Sequence, residues 1–311
     1  MGIEIKKGQV IAQFTVEELL PEGSGGMATV VCAVGHDGSK VALKISHAAT
    51  ERYYADALLA EVEILRKLNH PGVVKIIPIK TDGGKIRFVE RAVELKDQPW
   101  FFAMEFLEGG SLKDYLKKVG TITFGEACFI ALEVVKALNY IHSQEYAHND
   151  VKIDNVIFRK DIEKYHVFEP VLIDFGIASK LRRIQADAGS LQWMAPERLQ
   201  QVRKELPPEI KVDATKVDVY SVGILLYRML TSKMPFSGKT EHGITSAIMY
   251  KTPDNITTIN SSVPSGLNNL IHRCISKRPE VRPTTQQLIK ELDPFSTNQV
   301  ITNPKHYGLF K

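Results

Sequence analysis

The apolar residues change period near residue 110, and that change most constrains what this chain can fold into. Before it come short runs rich in Val, Ile and Phe at 8–20, 29–34, 40–46, 73–80, 87–95 and 100–106. Turns such as His36-Asp37-Gly38 and Asp82-Gly83-Gly84 separate them, which is the pattern of strands. One helix is expected among them, over 52–68, where Leu58, Val62, Leu65 and Leu68 recur at spacings of four and three. Beyond residue 110 helical periods dominate. The stretch 124–143 sets Cys128, Ala131, Val135, Leu138 and Ile141 on one stripe, and 218–230 and 264–276 read likewise. The expectation is an α+β chain: a small β-rich lobe, then a larger helical lobe, joined over 105–110.

Composition narrows the function classes. A length of 311 residues fits two lobes, and 44% apolar with 24% charged residues excludes a disordered, collagen-like or disulfide-stapled chain. Forty basic against 36 acidic side chains give a net charge of +4, too mild to make nucleic acid or an anionic membrane the main partner. Cys32, Cys128 and Cys274 are odd in number and flanked by apolar residues, so buried reduced thiols are expected. The first ten residues lack the apolar core of a signal peptide, and Lys6 stands where a myristoylation motif needs Ser or Thr. No apolar run approaches a membrane span of about 20 residues. Even 217–234 carries Asp218, Arg228 and Lys233. The reading is a soluble, cytoplasmic protein.

Several motifs then point to phosphate chemistry. Glu22–Val30 (EGSGGMATV) carries Gly23, Gly25 and Gly26 between two strand-like runs, where backbone N–H groups can approach a phosphate closely. Alone this is a common Gly-rich hairpin, and it is neither a dinucleotide fingerprint nor a Walker loop. Val41-Ala42-Leu43-Lys44 places a lysine inside an apolar strand, and Glu61 on the following helix offers it a counter-charge. His148-Asn149-Asp150-Val151-Lys152-Ile153-Asp154-Asn155 packs a carboxylate, a cation and a carboxamide into six residues from Asp150 to Asn155. Asp174-Phe175-Gly176 and Ala195-Pro196-Glu197 follow in order. Asp150, Asn155 and Asp174 form the oxygen-rich setting that Mg²⁺ prefers.

Taken together, in this order, these motifs resemble the eukaryotic-like (Hanks-type) Ser/Thr protein kinases over about residues 10–292. The glycine loop is of the bacterial style, with Ala28 in place of a third glycine. The resemblance implies the bilobal kinase fold: N-lobe 1–104, hinge 105–110, C-lobe 111–293 and a C-terminal tail 294–311. It implies that Gly23, Gly25 and Gly26 cover the ATP phosphates, and that Lys44, held by Glu61, binds the α- and β-phosphates. Val30, Ala42 and Ile157 would sandwich the adenine, with Met104 as gatekeeper and the backbone of Glu105 and Leu107 meeting the ring edge. Asp150 would orient the substrate hydroxyl, Lys152 would neutralise the γ-phosphate, and Asn155 and Asp174 would hold Mg²⁺, or Mn²⁺ in its place. Glu197 is expected to pair with Arg282, and Asp218 to brace the catalytic loop. His148 and Trp193 read as packing residues.

Two departures carry expectations of their own. Asn149 replaces the arginine that in the family binds a phosphorylated activation-loop residue, which implies activity without that phosphorylation. Ser179 and Ser190 are the hydroxyls between Asp174 and Glu197; Ser190 is at a structural position, and Lys180, Arg182 and Arg183 read as a solvated face. Asp154 lies where many members that prefer basic substrates carry an acid, implying basic residues before the target hydroxyl. The 158–170 and 200–216 stretches read as surface loops. The leading reading is a kinase acting on protein Ser/Thr, with a regulatory protein partner. A pseudokinase scaffold is disfavoured because Lys44, Glu61, Asp150, Asn155 and Asp174 are all present. A small-molecule kinase is disfavoured by Lys152 and by the Ala-Pro-Glu, Asp218 and Arg282 set.

Overall fold

The computed structural model describes residues 4–20, 28–47, 52–81, 83–176, 188–207 and 209–296. Gly23, Gly25, Gly26, Ser179, Lys180, Arg182, Arg183 and most of the tail lie outside these described residues. Two compact units emerge, 1–107 with 174–177, and 108–173 with 178–311. The sequence reading left 174–177 within the second lobe. The Asp174 and Phe175 bonds to Lys44 and Glu61, given below, account for its place in the first unit.

The first unit is built on a sheet. Its strands are β1 (Val10–Ile11), β2 (Phe14–Leu19), β3 (Ala28–Gly35), β4 (Lys40–Ser46), β5 (Ile76–Ile77), β6 (Ile79–Lys80), β7 (Ile86–Arg87), β8 (Glu90–Arg91) and β9 (Trp100–Glu105). Strand order in the main sheet is β1-β2-β3-β4-β9-β5, antiparallel between neighbours, with β8 also pairing β9; β6 and β7 pair separately. The period of two separates two faces. Val31, Ala33, Val41, Leu43, Ile45, Phe101 and Ala103 form one buried cluster with Ile5, Ile11, Phe14 and Leu95. Val30, Cys32, Ala42, Lys44, Phe102 and Met104 stand in register on the opposite face. The expected 73–80 and 87–95 runs yield only two-residue strands. Pro78 has no N–H to continue a ladder through 76–80, and 92–99 turns back instead, with Asp97 and Gln98 in the left-handed region. Helix α1 (Arg52–Leu65) ends three residues before the expected 68, where the chain turns toward His70-Pro71.

The second unit is helical around α3 (Phe124–Ser143), which follows α2 (Leu112–Val119) and matches the expected 124–143. Thr123 and Glu126 close a capping box at its start. Next come β10 (Val156–Phe158), α4 (Ile162–Tyr165), β11 (Pro170–Leu172), α5 (Pro196–Val202), α6 (Ala214–Thr231), α7 (Glu241–Tyr250), α8 (Ile256–Ile259), α9 (Ser265–Cys274) and α10 (Thr285–Leu292). Helix α6 starts earlier than the apolar pattern suggested because Asp213 caps it, accepting from Thr215 N at 3.0 Å. The 158–170 stretch is not a plain surface loop. Asp161 caps α4, and Phe168 packs on Tyr115 and Phe158 with ring centroids 5.6 and 5.5 Å away. All three cysteines are free and buried. No described helix is long and apolar enough to cross a membrane.

Candidate active site

In the first unit, antiparallel pairing puts Val30 opposite Lys44, and Ala42 opposite Met104. Of the residues named for adenine and phosphate, Val30, Ala42, Lys44 and Met104 thus share the sheet face that the apolar core leaves. Lys44 Nζ lies 2.9 and 2.7 Å from the two Glu61 carboxylate oxygens and 2.9 Å from Asp174 Oδ1. Glu61 Oε1 also accepts from Phe175 N at 3.0 Å, so α1 holds both the lysine and the Asp174-Phe175-Gly176 turn. Asp174 adopts a left-handed backbone, φ 64°, which costs free energy for a non-glycine residue and is held by these bonds.

The charges explain the electrostatics. Two carboxylates share one ammonium; Glu61 is buried, whereas the Asp174 side chain is 41% exposed. Burial by itself pulls Lys44 down, but Asp174 and Glu61 outweigh it and raise its pKa. Burial raises Glu61; Lys44 opposes that rise and the like charge of Asp174 adds to it. The two carboxylates thus raise Lys44, whereas Glu61 is raised chiefly by its burial, with the charge of Asp174 adding to it. At the hinge end, Glu105 N donates to the Lys75 carbonyl at 2.9 Å, and the Glu105 carboxylate accepts from Lys75 N at 2.9 Å. Leu107 is buried.

In the second unit the loop 148–155 folds on itself. Lys152 Nζ and Asn155 Nδ2 both donate to Asp150 Oδ2, at 2.7 and 2.8 Å, and Asn155 Nδ2 also reaches the Asp150 carbonyl at 2.9 Å. The Asn155 amide group is thereby committed to Asp150, which directs its Oδ1 away as an acceptor. An amide oxygen here, and in the first unit the Asp174 carboxylate, are each donors of the type a hard cation such as Mg²⁺ takes. Ile157 pairs with Val171 in the β10–β11 hairpin and bridges to Ser111.

The loop is anchored from beneath. Asp218 on α6 is fully buried; its Oδ1 accepts from Asn149 N at 2.7 Å, and its Oδ2 from His148 N at 2.9 Å and His142 Nε2 at 2.8 Å. Asn149 adopts φ 64°, a conformation asparagine tolerates better than most residues. His148 is fully buried; Nε2 donates to the Ile173 carbonyl at 3.0 Å, which leaves Nδ1 to accept from Asp150 N at 3.3 Å. It is a scaffold residue. Arg282 has no exposed side-chain surface and meets Glu197 through two bonds of 2.6 and 2.9 Å, as the sequence suggested. Trp193 is buried, and its carbonyl accepts from Ser221 Oγ at 3.1 Å.

Sequence reasoning overlooked three side chains. His142 closes the last turn of α3 against Asp218; a histidine at the polar end of an otherwise apolar helix was the available signal. Lys113 pairs with Asp154 at 2.7 Å, across 41 residues of sequence, which no local pattern signals. Arg198 is buried and donates Nη1 to Gln201 at 2.6 Å, while its Nη2 and Asn149 Oδ1 find no partner among the described residues. Burial pushes the Arg198 guanidinium down to about 10, with Asp218 opposing.

Comparison with known proteins agrees with this geometry. The sequence profile of the protein kinase domain matches residues 14–292. The chain is 29% identical to the putative sperm motility kinase W of Mus musculus, over 98% of this chain and 54% of that protein. It is 28% identical to the serine/threonine-protein kinase PkaA of Streptomyces coelicolor, over 87% of this chain and 45% of that protein. It therefore spans about half the length of the curated relatives it matches. The crystal structure of Rad53 1-466 in complex with AMP-PNP superposes with a TM-score of 0.69 at 24% identity, over 92% of this chain and 66% of that one, a likeness of fold. With the profile spanning most of its length and the bilobal fold in place, the chain belongs to the protein kinase domain family.

Proposed function

We propose that this chain is a protein Ser/Thr kinase that transfers the γ-phosphoryl group of ATP to hydroxyls of a protein substrate. The observation that carries this reading is the convergence of Lys152 and Asn155 on one oxygen of Asp150, at 2.7 and 2.8 Å. Phosphoryl transfer needs little covalent help from protein, so alignment and charge neutralisation are the main requirements. Asp150 orients the acceptor hydroxyl and takes its proton. Lys152, already beside that carboxylate, faces the charge that develops on the transferred group. Lys44 binds the α- and β-phosphates while Glu61 fixes its position. Val30, Ala42, Met104 and Ile157 contact the adenine, Glu105 and Leu107 offer it backbone bonds, and Gly23, Gly25 and Gly26 cover the phosphates. Asn155 and Asp174 would hold Mg²⁺, which when bound would neutralise phosphate charge.

Lys152 favours Ser/Thr over Tyr acceptors, and relatives named as Ser/Thr kinases agree with that choice. Activity independent of activation-loop phosphorylation rests on Asn149. Its neutral side chain stands where a phosphate-binding cation would be needed. Both parts are tested by following labelled phosphate from Mg-ATP into a generic basic protein, with phosphoamino-acid analysis. Wild type beside Asp174→Ala should give phosphoserine or phosphothreonine from wild type only. Phosphatase-treated wild type and Ser179→Ala should retain that activity; loss in either refutes the phosphorylation-independent part. Silence of wild type with ATP binding intact refutes the kinase reading in favour of a nucleotide-binding scaffold.

A further inference from the structure

If Asp150 meets the acceptor hydroxyl, the exposed side chains of the same loop face the polypeptide that carries it. Asp154 is such a side chain, four residues on, with 35% of its surface exposed. An exposed carboxylate there would draw Lys or Arg residues flanking the target. It is, however, already engaged. Lys113 Nζ stands 2.7 Å from Asp154 Oδ1, and Lys113 N donates to the Ile153 carbonyl at 3.1 Å, so backbone and side chain both fasten the start of α2 to this loop.

The pair with Asp154 helps to account for the placement of Lys113. It is the second residue of α2, where the positive end of the helix dipole disfavours a cation. The acid of the same turn, Asp114, has its Oδ2 bound by Ser111 Oγ at 2.7 Å. The backbone bond brings the lysine stem to Ile153, and Asp154 supplies the compensating charge.

We infer that Lys113 is a specificity-determining residue: by neutralising Asp154 it removes the preference for basic residues near the target hydroxyl that Asp154 alone would confer. The inference rests on the kinase reading above and names the substrate class of that site, a peptide without a basic requirement at this subsite. An exposed ion pair contributes little to stability. Removing the lysine therefore leaves the fold intact and uncovers the carboxylate.

The test compares two peptides that differ only by Arg against Ala at the two and three positions before a single Ser. Their kcat/KM ratio is measured for wild type, Lys113→Ala, Lys113→Met and Lys113→Ala/Asp154→Asn. Wild type should give a ratio near one. Both single variants should raise it about three- to tenfold, with kcat on the Ala peptide unchanged, and this gain should shrink at high salt as screening predicts. The double variant should return to the wild-type ratio. A ratio that does not move in either single variant, or a strong basic preference in wild type that they leave untouched, overturns the inference while the kinase reading stands. No transfer by wild type to either peptide or to the generic basic protein overturns the kinase reading and this inference with it.

Discussion

The candidate-site clusters of the two units are held by different physics. In the first unit, Lys44, Glu61 and Asp174 come from β4, from α1 and from a turn 113 residues beyond Glu61, and they meet through ionised side chains. In the second, Asp150, Lys152 and Asn155 lie within six residues, and the loop that carries them is fixed by backbone N–H groups on the buried Asp218. A cluster held by side-chain charge responds to protonation and to movement of α1. A loop held by backbone bonds to one buried carboxylate responds to the loss of that carboxylate. Activity and stability should therefore separate in the first unit and fall together in the second where its buried anchor is lost.

The largest effect is expected from Asp218→Ala, which leaves three donors without their acceptor in a buried setting. A loss of about 3–5 kcal/mol follows, read as a fall in Tm of about 10 °C, with activity collapsing as the loop loosens. Should Tm hold while activity disappears, the anchor would be catalytic rather than structural. Asp150→Ala removes the group proposed to orient the acceptor without touching the anchor. The expected result is a loss of about 10³-fold in kcat with Tm shifted little, measured by steady-state transfer and thermal melts.

Glu61→Gln sharpens the contrast from the other side. It should lower kcat/KM by about 10- to 100-fold, since Lys44 loses its partner, yet leave stability equal or greater, because burying an ionised carboxylate is costly. The sign with pH follows from its raised pKa. The fold binds the Glu61 proton more tightly than the unfolded chain does. The ionised group therefore costs stability as pH rises from the ordinary carboxylate value to the raised one, and Glu61→Gln should lose that slope. Wild-type activity should conversely fall as pH drops through the raised value, because protonated Glu61 no longer pairs with Lys44. A slope unchanged in the variant would assign it to another group. The smallest effect is expected from His142→Gln, which weakens one of three bonds to Asp218. About 1 kcal/mol and a few-fold loss of activity should result, by melts and kinetics on the same preparations.

Much of this was legible in the sequence because it is written in local spacing. The period-two runs 29–34, 40–46 and 100–106 became β3, β4 and β9, and the stripe of 124–143 became α3 with the same ends, since long periodic segments bury one face whatever surrounds them. The residues of the loop 148–155 were nameable because they are neighbours in the chain. The short strands near 76–91 and helix α4 were misread, as their lengths are set by turns and by the aromatic contacts of Phe168 rather than by periodicity. Lys113 carried no signal, because its meaning lies in Asp154, far along the chain.

The sequence by itself determined the order of the chemistry: which residue types stand at which spacings, and hence the family and the acids, amides and lysines at its disposal. Only the tertiary structure decided which of them touch. It brought Glu61 to Lys44 rather than leaving α1 turned away, and it placed the Asp174 turn with the first unit. It also bound Asp154 to Lys113, 41 residues away in the chain. The physical reason is range. Periodicity and turn chemistry act over a few residues and can be read along the chain, whereas an ion pair or a buried anchor depends on distance in space, which packing alone sets.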